Sequence, residues 1–207
     1  MFRLYRQLEK GEFLVYGGDT AQGGIDANYG HFISKTKGDV PLVFKKQGVA
    51  ASATPLIRNA LNWVHDQTKV KPCVALERQN GGASEMHRLD DTNDGFYTIY
   101  YPYNEKGERK DTPGWDTNEK TRAQMLGDWL KAFNNGLIRI YDQDTVEQHQ
   151  TFITNKRGKP EADSNTHDDA VMSIAIAYQL FLTENPFVMP VRTRQPRKRV
   201  SLHVEDN

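Results

Sequence analysis

Apolar residues fall in two kinds of pattern along this chain: short uninterrupted runs, and stretches in which they recur every three or four positions. Phe13-Leu-Val-Tyr16 is a short run that stops at Gly17-Gly18, which predicts a first strand. His31-Phe-Ile-Ser34 and Val40-Pro-Leu-Val-Phe44 predict two more, joined by a tight turn at Lys37-Gly-Asp39. Thr54 then reads as a helix cap with Pro55 at the first helical position, where a missing N–H costs nothing. Ile57, Ala60, Leu61 and Val64 follow on one face of that helix. Pro72-Cys-Val-Ala-Leu76 is apolar throughout, as in a strand buried on both faces.

A helix is expected around residues 83–91 and a strand at Tyr97–Tyr101. Residues 102–118 are polar and contain Gly107, Pro113 and Gly114, which predicts a loop or exposed hairpin. Leu126, Trp129, Leu130 and Phe133 mark an amphipathic helix that stops near Gly136, and Leu137–Tyr141 a short strand after it. Residues 152–163 suggest a second exposed hairpin centred on Lys156-Arg157-Gly158, and Asp169–Leu182 a helix apolar on nearly all sides. Early strands followed by alternating helices and strands predict an α/β domain with a mixed sheet. It is expected to span residues 1–185, with a basic C-terminal tail over 186–207.

Composition narrows the function classes. The chain has 207 residues, 37% hydrophobic and 26% charged, as expected for a folded domain rather than a disordered one. No run approaches the roughly 20 apolar residues that cross a bilayer, and the first residues lack the apolar stretch of a signal peptide. The single cysteine, Cys73, can form neither an internal disulfide nor a multi-thiolate metal site, which suits a reducing compartment. Lys+Arg and Asp+Glu balance at 27 each. The balance is uneven along the chain: residues 192–207 hold five basic and two acidic residues, leaving 22 and 25 for residues 1–191. Contacts to nucleic acid must therefore come from local patches.

Three positions put carboxylates at the end of an element. Asp19 follows the first strand between glycines, Glu77 follows the buried run Cys73–Leu76, and Asp168 with Asp169 opens the last apolar helix. A carboxylate at the end of a buried strand faces desolvation unless a cation or donors compensate it. Several converging would make a hard-oxygen site for Mg²⁺ or Mn²⁺, the equipment for metal-assisted phosphodiester hydrolysis. Each also has a plainer reading. Asp19 suits a turn, Glu77 a strand end on the surface, and a helix's first turn favours negative charge.

The order of these motifs resembles one family. Strand-Asp19 with its glycines, Ala-Leu-Glu77 and His167-Asp-Asp-Ala-Val-Met-Ser-Ile-Ala175 are similar to the nuclease domain of bacteriophage large terminases. Gly114-Trp-Asp-Thr-Asn-Glu-Lys-Thr-Arg122 looks like that family's segment between its second and third acidic motifs, so the resemblance covers roughly residues 12–182. It implies an RNase H-like mixed sheet flanked by helices, shared with Holliday-junction resolvases. It also implies a divalent-metal endonuclease, with Mg²⁺ or Mn²⁺ and two ions, that cuts concatemeric double-stranded DNA at the start and end of packaging. Asp19, Glu77, Asp168 and Asp169 would be the catalytic metal ligands, with the order within the Asp168–Asp169 pair left open. The implied partners are the terminase ATPase domain, the small terminase subunit and the portal, in the host cytoplasm and transiently at the procapsid. The ATPase signature G-x-x-x-x-G-K-[ST] has no match, so an isolated nuclease domain with an added Met1 and no ATPase of its own is expected.

Phosphates need cations. Arg78 adjoins Glu77, Lys120 and Arg122 lie near a helix start, and Lys156, Arg157 and Lys159 cluster in the second hairpin. His167 is a further candidate for DNA contact, and the 152–163 hairpin is expected beside the acidic cluster as a gate. Trp129 reads as core, and Trp115 as the anchor of its loop. The rival readings are a junction resolvase and a catalytically inert DNA-binding or motor-docking module.

Overall fold

The apolar runs become the middle of one sheet. The computed structural model describes residues 1–23, 27–104, 106–154, 160–162 and 167–186. Its strands are β1 (Phe2–Leu4), β2 (Leu14–Asp19), β3 (Ala27–Ser34), β4 (Asp39–Gln47), β5 (Cys73–Leu76), β6 (Thr98–Ile99) and β7 (Arg139–Ile140), in the order β1-β4-β3-β2-β5-β6, with β7 on β4. β2, β3 and β4 form an antiparallel meander, whereas β5 joins β2 in parallel and β6 joins β5 in parallel. The helices are α1 (Ala50–Thr68), α2 (Gly82–Asp91), α3 (Glu119–Asn134), α4 (Gln143–Gln150) and α5 (Asp169–Thr183). Short strands β8 (Phe152–Thr154) and β9 (Pro160–Ala162) pair separately as a hairpin. Among the described residues no helix is long and apolar enough to cross a membrane.

Both faces of the sheet are covered, as its apolar strands require. Successive strand residues point to opposite faces, so Val15, Ile33, Val43, Cys73 and Ala75 pack with α3 and α5, Trp129 among them. Leu14, Tyr16, Phe32, Phe44, Val74 and Leu76 pack with α1 and α2. Cys73 is buried in this core, and burial pushes its thiol up to about 12.

Several boundaries depart from expectation. α1 begins at Ala50, so Thr54 is no cap: its hydroxyl donates to the Ala50 carbonyl at 3.2 Å. Pro55 lies inside the helix, and the Ala51 carbonyl it leaves without an N–H partner faces the Arg88 guanidinium at 3.5 Å. β3 starts four residues earlier than expected, and β6 keeps only two residues of the expected five. Strand β1 and helix α4 were not expected at all. β1 adds an edge to β4, and α4 starts at Asp142, whose side chain accepts from the Thr145 N–H at 2.9 Å. Residues 102–118 are not wholly exposed: Pro113, Gly114 and Thr117 are buried, and Trp115 pairs with Glu77 beside the sheet. The tail beyond Pro186 and the hairpin tip 155–159 lie outside the described residues.

Candidate active site

Topology decides where the carboxylates go. β2 and β5 run parallel with Gly18 opposite Leu76, so Asp19 and Glu77, the next residue of each, finish side by side at one edge. The Glu77 N–H donates to the Gly18 carbonyl at 2.7 Å, continuing the ladder one step past the strands. Ligand sites in open α/β sheets form beyond the carboxyl ends of parallel strands. Odd positions of β2 face α5, which puts Asp19 under that helix in phase with Val15 and Gly17.

α5 lies on β2 at a spacing only glycine permits. A Cβ on Gly17 would stand 2.2 Å from the Ala177 nitrogen and 2.5 Å from the Ser173 carbonyl oxygen. From that crossing, Asp19 is two strand residues away, about 6.6 Å, and Asp169 is one helical turn before Ser173, about 6 Å along the axis. The two carboxylates thus meet near the same edge. Gly82 makes a second tight fit, its absent Cβ falling 1.7 Å from the Glu77 carbonyl oxygen. The start of α2 therefore rests directly on Glu77.

The electrostatics of the site follow from this crowding. Asp19 is held well above the usual carboxylate range, first by burial, then by the Glu77 charge and a hydrogen bond with Glu77, then by Asp169 and Asp168. Asp168 leads into α5 without capping it and instead pairs with Arg122, 3.1 Å away across from α3. Arg122 also donates to the Met172 sulfur at 2.8 Å. His167 is half-exposed, its Nδ1 3.9 Å from Asp169. Among the described residues no three acidic, His or Cys groups close into a ready cage for an ion. Asp19 instead stands in the field of the other three carboxylates, which raises its pKa. Their donor set, all hard oxygen, fits Mg²⁺ or Mn²⁺.

The four acidic candidates are therefore brought together, and Arg122 with them. Lys120 is exposed in the first turn of α3. Arg78 is half-buried beyond Glu77, its N–H bonded to the Trp115 carbonyl at 2.8 Å. Lys156, Arg157 and Lys159, the cations of the expected gate, lie outside the described residues. Sequence reasoning missed Lys45, Tyr29 and Gln148, which with Gln47, His167 and Asp169 line a cavity of about 120 Å³ beside the cluster. A signal for Lys45 existed, because it is in phase with inward-facing Val43.

A buried polar chain supports α5 from behind. His31 Nδ1 lies 2.8 Å from the Ser173 hydroxyl and Nε2 2.8 Å from the Thr145 hydroxyl, which donates to Asp142 at 2.7 Å. This arrangement is satisfied by a neutral imidazole carrying its proton on Nε2. Burial holds the His31 pKa well below the usual range, with His149 and Arg3 adding to the effect.

A mixed sheet flanked by helices in this order is the RNase H-like fold. Solved structures whose fold the chain matches include large terminase nuclease domains. The nuclease of thermophilic phage G20c, solved with bound magnesium, superposes with a TM-score of 0.64 at 15% identity over 86% of each chain. The Thermus phage P74-26 domain gives 0.64 at 13% identity over 91% of this chain and 90% of that one. The human cytomegalovirus domain gives 0.52 at 11% identity over 80% and 82%. No protein-family model and no curated protein matches the sequence.

Proposed function

We propose that the chain is the nuclease part of a viral genome-packaging terminase large subunit, a divalent-metal endodeoxyribonuclease acting on concatemeric double-stranded DNA. The observation that carries this reading is the meeting of Asp19, Glu77, Asp168 and Asp169, from three separate elements, at one edge of the sheet. The G20c nuclease, of the same fold, has been solved with magnesium, cobalt and zinc. In this reading the partners are double-stranded DNA, the terminase ATPase domain, the small subunit and the portal, met in the host cell.

Bound divalent ions, two in this reading, would neutralise the scissile phosphate and acidify the attacking water. The chain's own residues supply the rest. Asp19, its pKa raised by burial and by its acidic neighbours, would have to be ionised to hold an ion, which ties activity to pH. Gly17 lets α5 hold Asp168 and Asp169 over the same edge, fixing the carboxylates before substrate binds. Arg122 passes from Asp168 to the DNA backbone, a charge-assisted contact in either state. Its contacts go to phosphate rather than to base edges, so cleavage is expected to be largely independent of sequence.

The test is nicking of supercoiled plasmid in Mg²⁺ or Mn²⁺, with and without chelator, by wild type and by Asp19→Asn. Wild type nicks, chelator stops it, and folded Asp19→Asn is inactive. Nicking by Asp19→Asn, or by wild type in chelator, removes the assignment.

A further inference from the structure

We propose that Lys45 and Gln148 form a second anchoring point for DNA, a pocket beside the acidic cluster that takes a backbone phosphate flanking the one to be cut. This rests on the nuclease reading above and adds to it a substrate-positioning role for residues outside the acidic motifs.

Register brings Lys45 there. Asp19 is paired with Tyr29 and Tyr29 with Lys45, so the three form a row across β2, β3 and β4 on the face that α5 covers. Two strand spacings amount to about 10 Å, while a DNA strand carries a phosphate every 3.4 Å or so of helix axis. A strand whose scissile phosphate sits at Asp19 therefore has a neighbouring phosphate within reach of the lysine. The cavity of about 120 Å³ joins the two places, with Asp169 on one wall and Tyr29, Lys45 and Gln148 on the others.

The chemistry of that cavity is that of an anion subsite on its far side. The Gln148 carbonyl oxygen accepts from the Ala170 N–H at 2.8 Å, which fixes the amide's orientation and leaves its NH₂ group as a donor. Lys45 Nζ lies 5.2 Å from the centre of the Tyr29 ring, which steadies its stem. At present Lys45 contacts Asp144 at 3.0 Å, but Arg3 donates to the same oxygen at 3.0 Å and also pairs with Asp142 at 2.9 Å. Releasing Lys45 to a phosphate thus leaves Asp144 still paired. That exchange costs much less than stripping a carboxylate of its only cation.

The experiment measures anisotropy of a fluorescein-labelled duplex against salt, in chelator so that no cleavage intervenes, for wild type, Lys45→Ala, Lys45→Arg and Gln148→Glu. Gln148→Glu keeps the acceptor for Ala170 while replacing the donor with a charge that repels phosphate. Lys45→Ala is expected to weaken binding about three- to tenfold and to lower the slope of log affinity against log salt by about 0.9, with Arg restoring both. Gln148→Glu weakens binding at least as much, and Mn²⁺ binding to Lys45→Ala, by calorimetry, stays as in wild type. Wild-type affinity and slope in folded Lys45→Ala overturn the proposal. Lys45-dependent binding by a protein that never nicks DNA would retain this pocket and remove the nuclease reading. Nicking without Lys45 dependence would do the reverse.

Discussion

Gly17→Ala is the smallest change that should disturb the whole site. The added methyl would stand 2.2 Å from the Ala177 nitrogen, 2.5 Å from the Ser173 oxygen and 2.7 Å from the Ala177 Cα, all backbone atoms of α5. Ordinary carbon contacts begin near about 3.5 Å, so α5 has to back away by about 1 Å; no rotamer relieves a clash with backbone. Overpacking of this kind costs about 1–3 kcal/mol, which lowers the Tm of a domain this size by roughly 2–12 °C. The functional loss should exceed the stability loss, because α5 carries Asp168 and Asp169 and an error of about 1 Å in such a site costs on the order of 10²-fold. Gly18→Ala is the control: its methyl meets the ends of the Leu76 and Tyr16 side chains, on the face away from α5. Thermal unfolding in chelator, Mn²⁺ calorimetry and plasmid nicking would be compared across the three proteins. A Gly17→Ala protein with wild-type Tm and wild-type Mn²⁺ affinity would refute the claim that close α5 packing builds the site.

Arg122→Gln releases Asp168 from a partly buried ion pair worth about 1 kcal/mol, so Mn²⁺ affinity is expected to rise by up to roughly fivefold while DNA binding weakens; weaker metal binding would contradict the assignment of Asp168 as a ligand. His31 and His149 are both buried with their pKa held down, so folded protein binds fewer protons than unfolded and stability is lost as pH falls below about 6.5, by about 1.4 kcal/mol per pH unit from His31 with His149 adding in the same sense. Asp19, held protonated, acts in the opposite sense in metal-free protein: it favours the folded state at low pH and loses that contribution as pH rises through its raised value. Denaturant titrations between pH 7.5 and 5.5 therefore read the two buried histidines most cleanly in Asp19→Asn. A flat profile there would contradict the buried neutral His31.

The parts of the fold visible in the sequence are those whose cause is local. β2 and β5 are apolar runs ended by a carboxylate, and α5 is apolar on nearly every side, so each was legible along with the candidate carboxylate beside it. What escaped depends on distant partners. α4 is polar along most of its length, and it is held by the Asp142 cap and by buried Thr145 and His149. β1 has three residues and exists only because β4 offers an edge. Pro55 pointed to a helix start because the helix-forming alanines before it carry no amphipathic signal, while Ala50 is tied from outside by a 3.0 Å bond from its N–H to the Ala21 carbonyl. Gly17 looked like a strand terminator, whereas its role is to admit α5. Lys45 was passed over because its neighbour across the sheet, Tyr29, follows a glycine-rich stretch with no strand pattern.

In the proposed function, four carboxylates at one sheet edge gather divalent cations for phosphodiester hydrolysis. Crystals soaked in Mn²⁺ and measured for anomalous scattering test it directly. Anomalous peaks are expected between Asp19, Glu77 and the Asp168–Asp169 pair, with two ions about 3.5–4 Å apart and Arg122 drawn off Asp168. Anomalous density absent from that edge, or Mn²⁺ bound only elsewhere on the molecule, would contradict it.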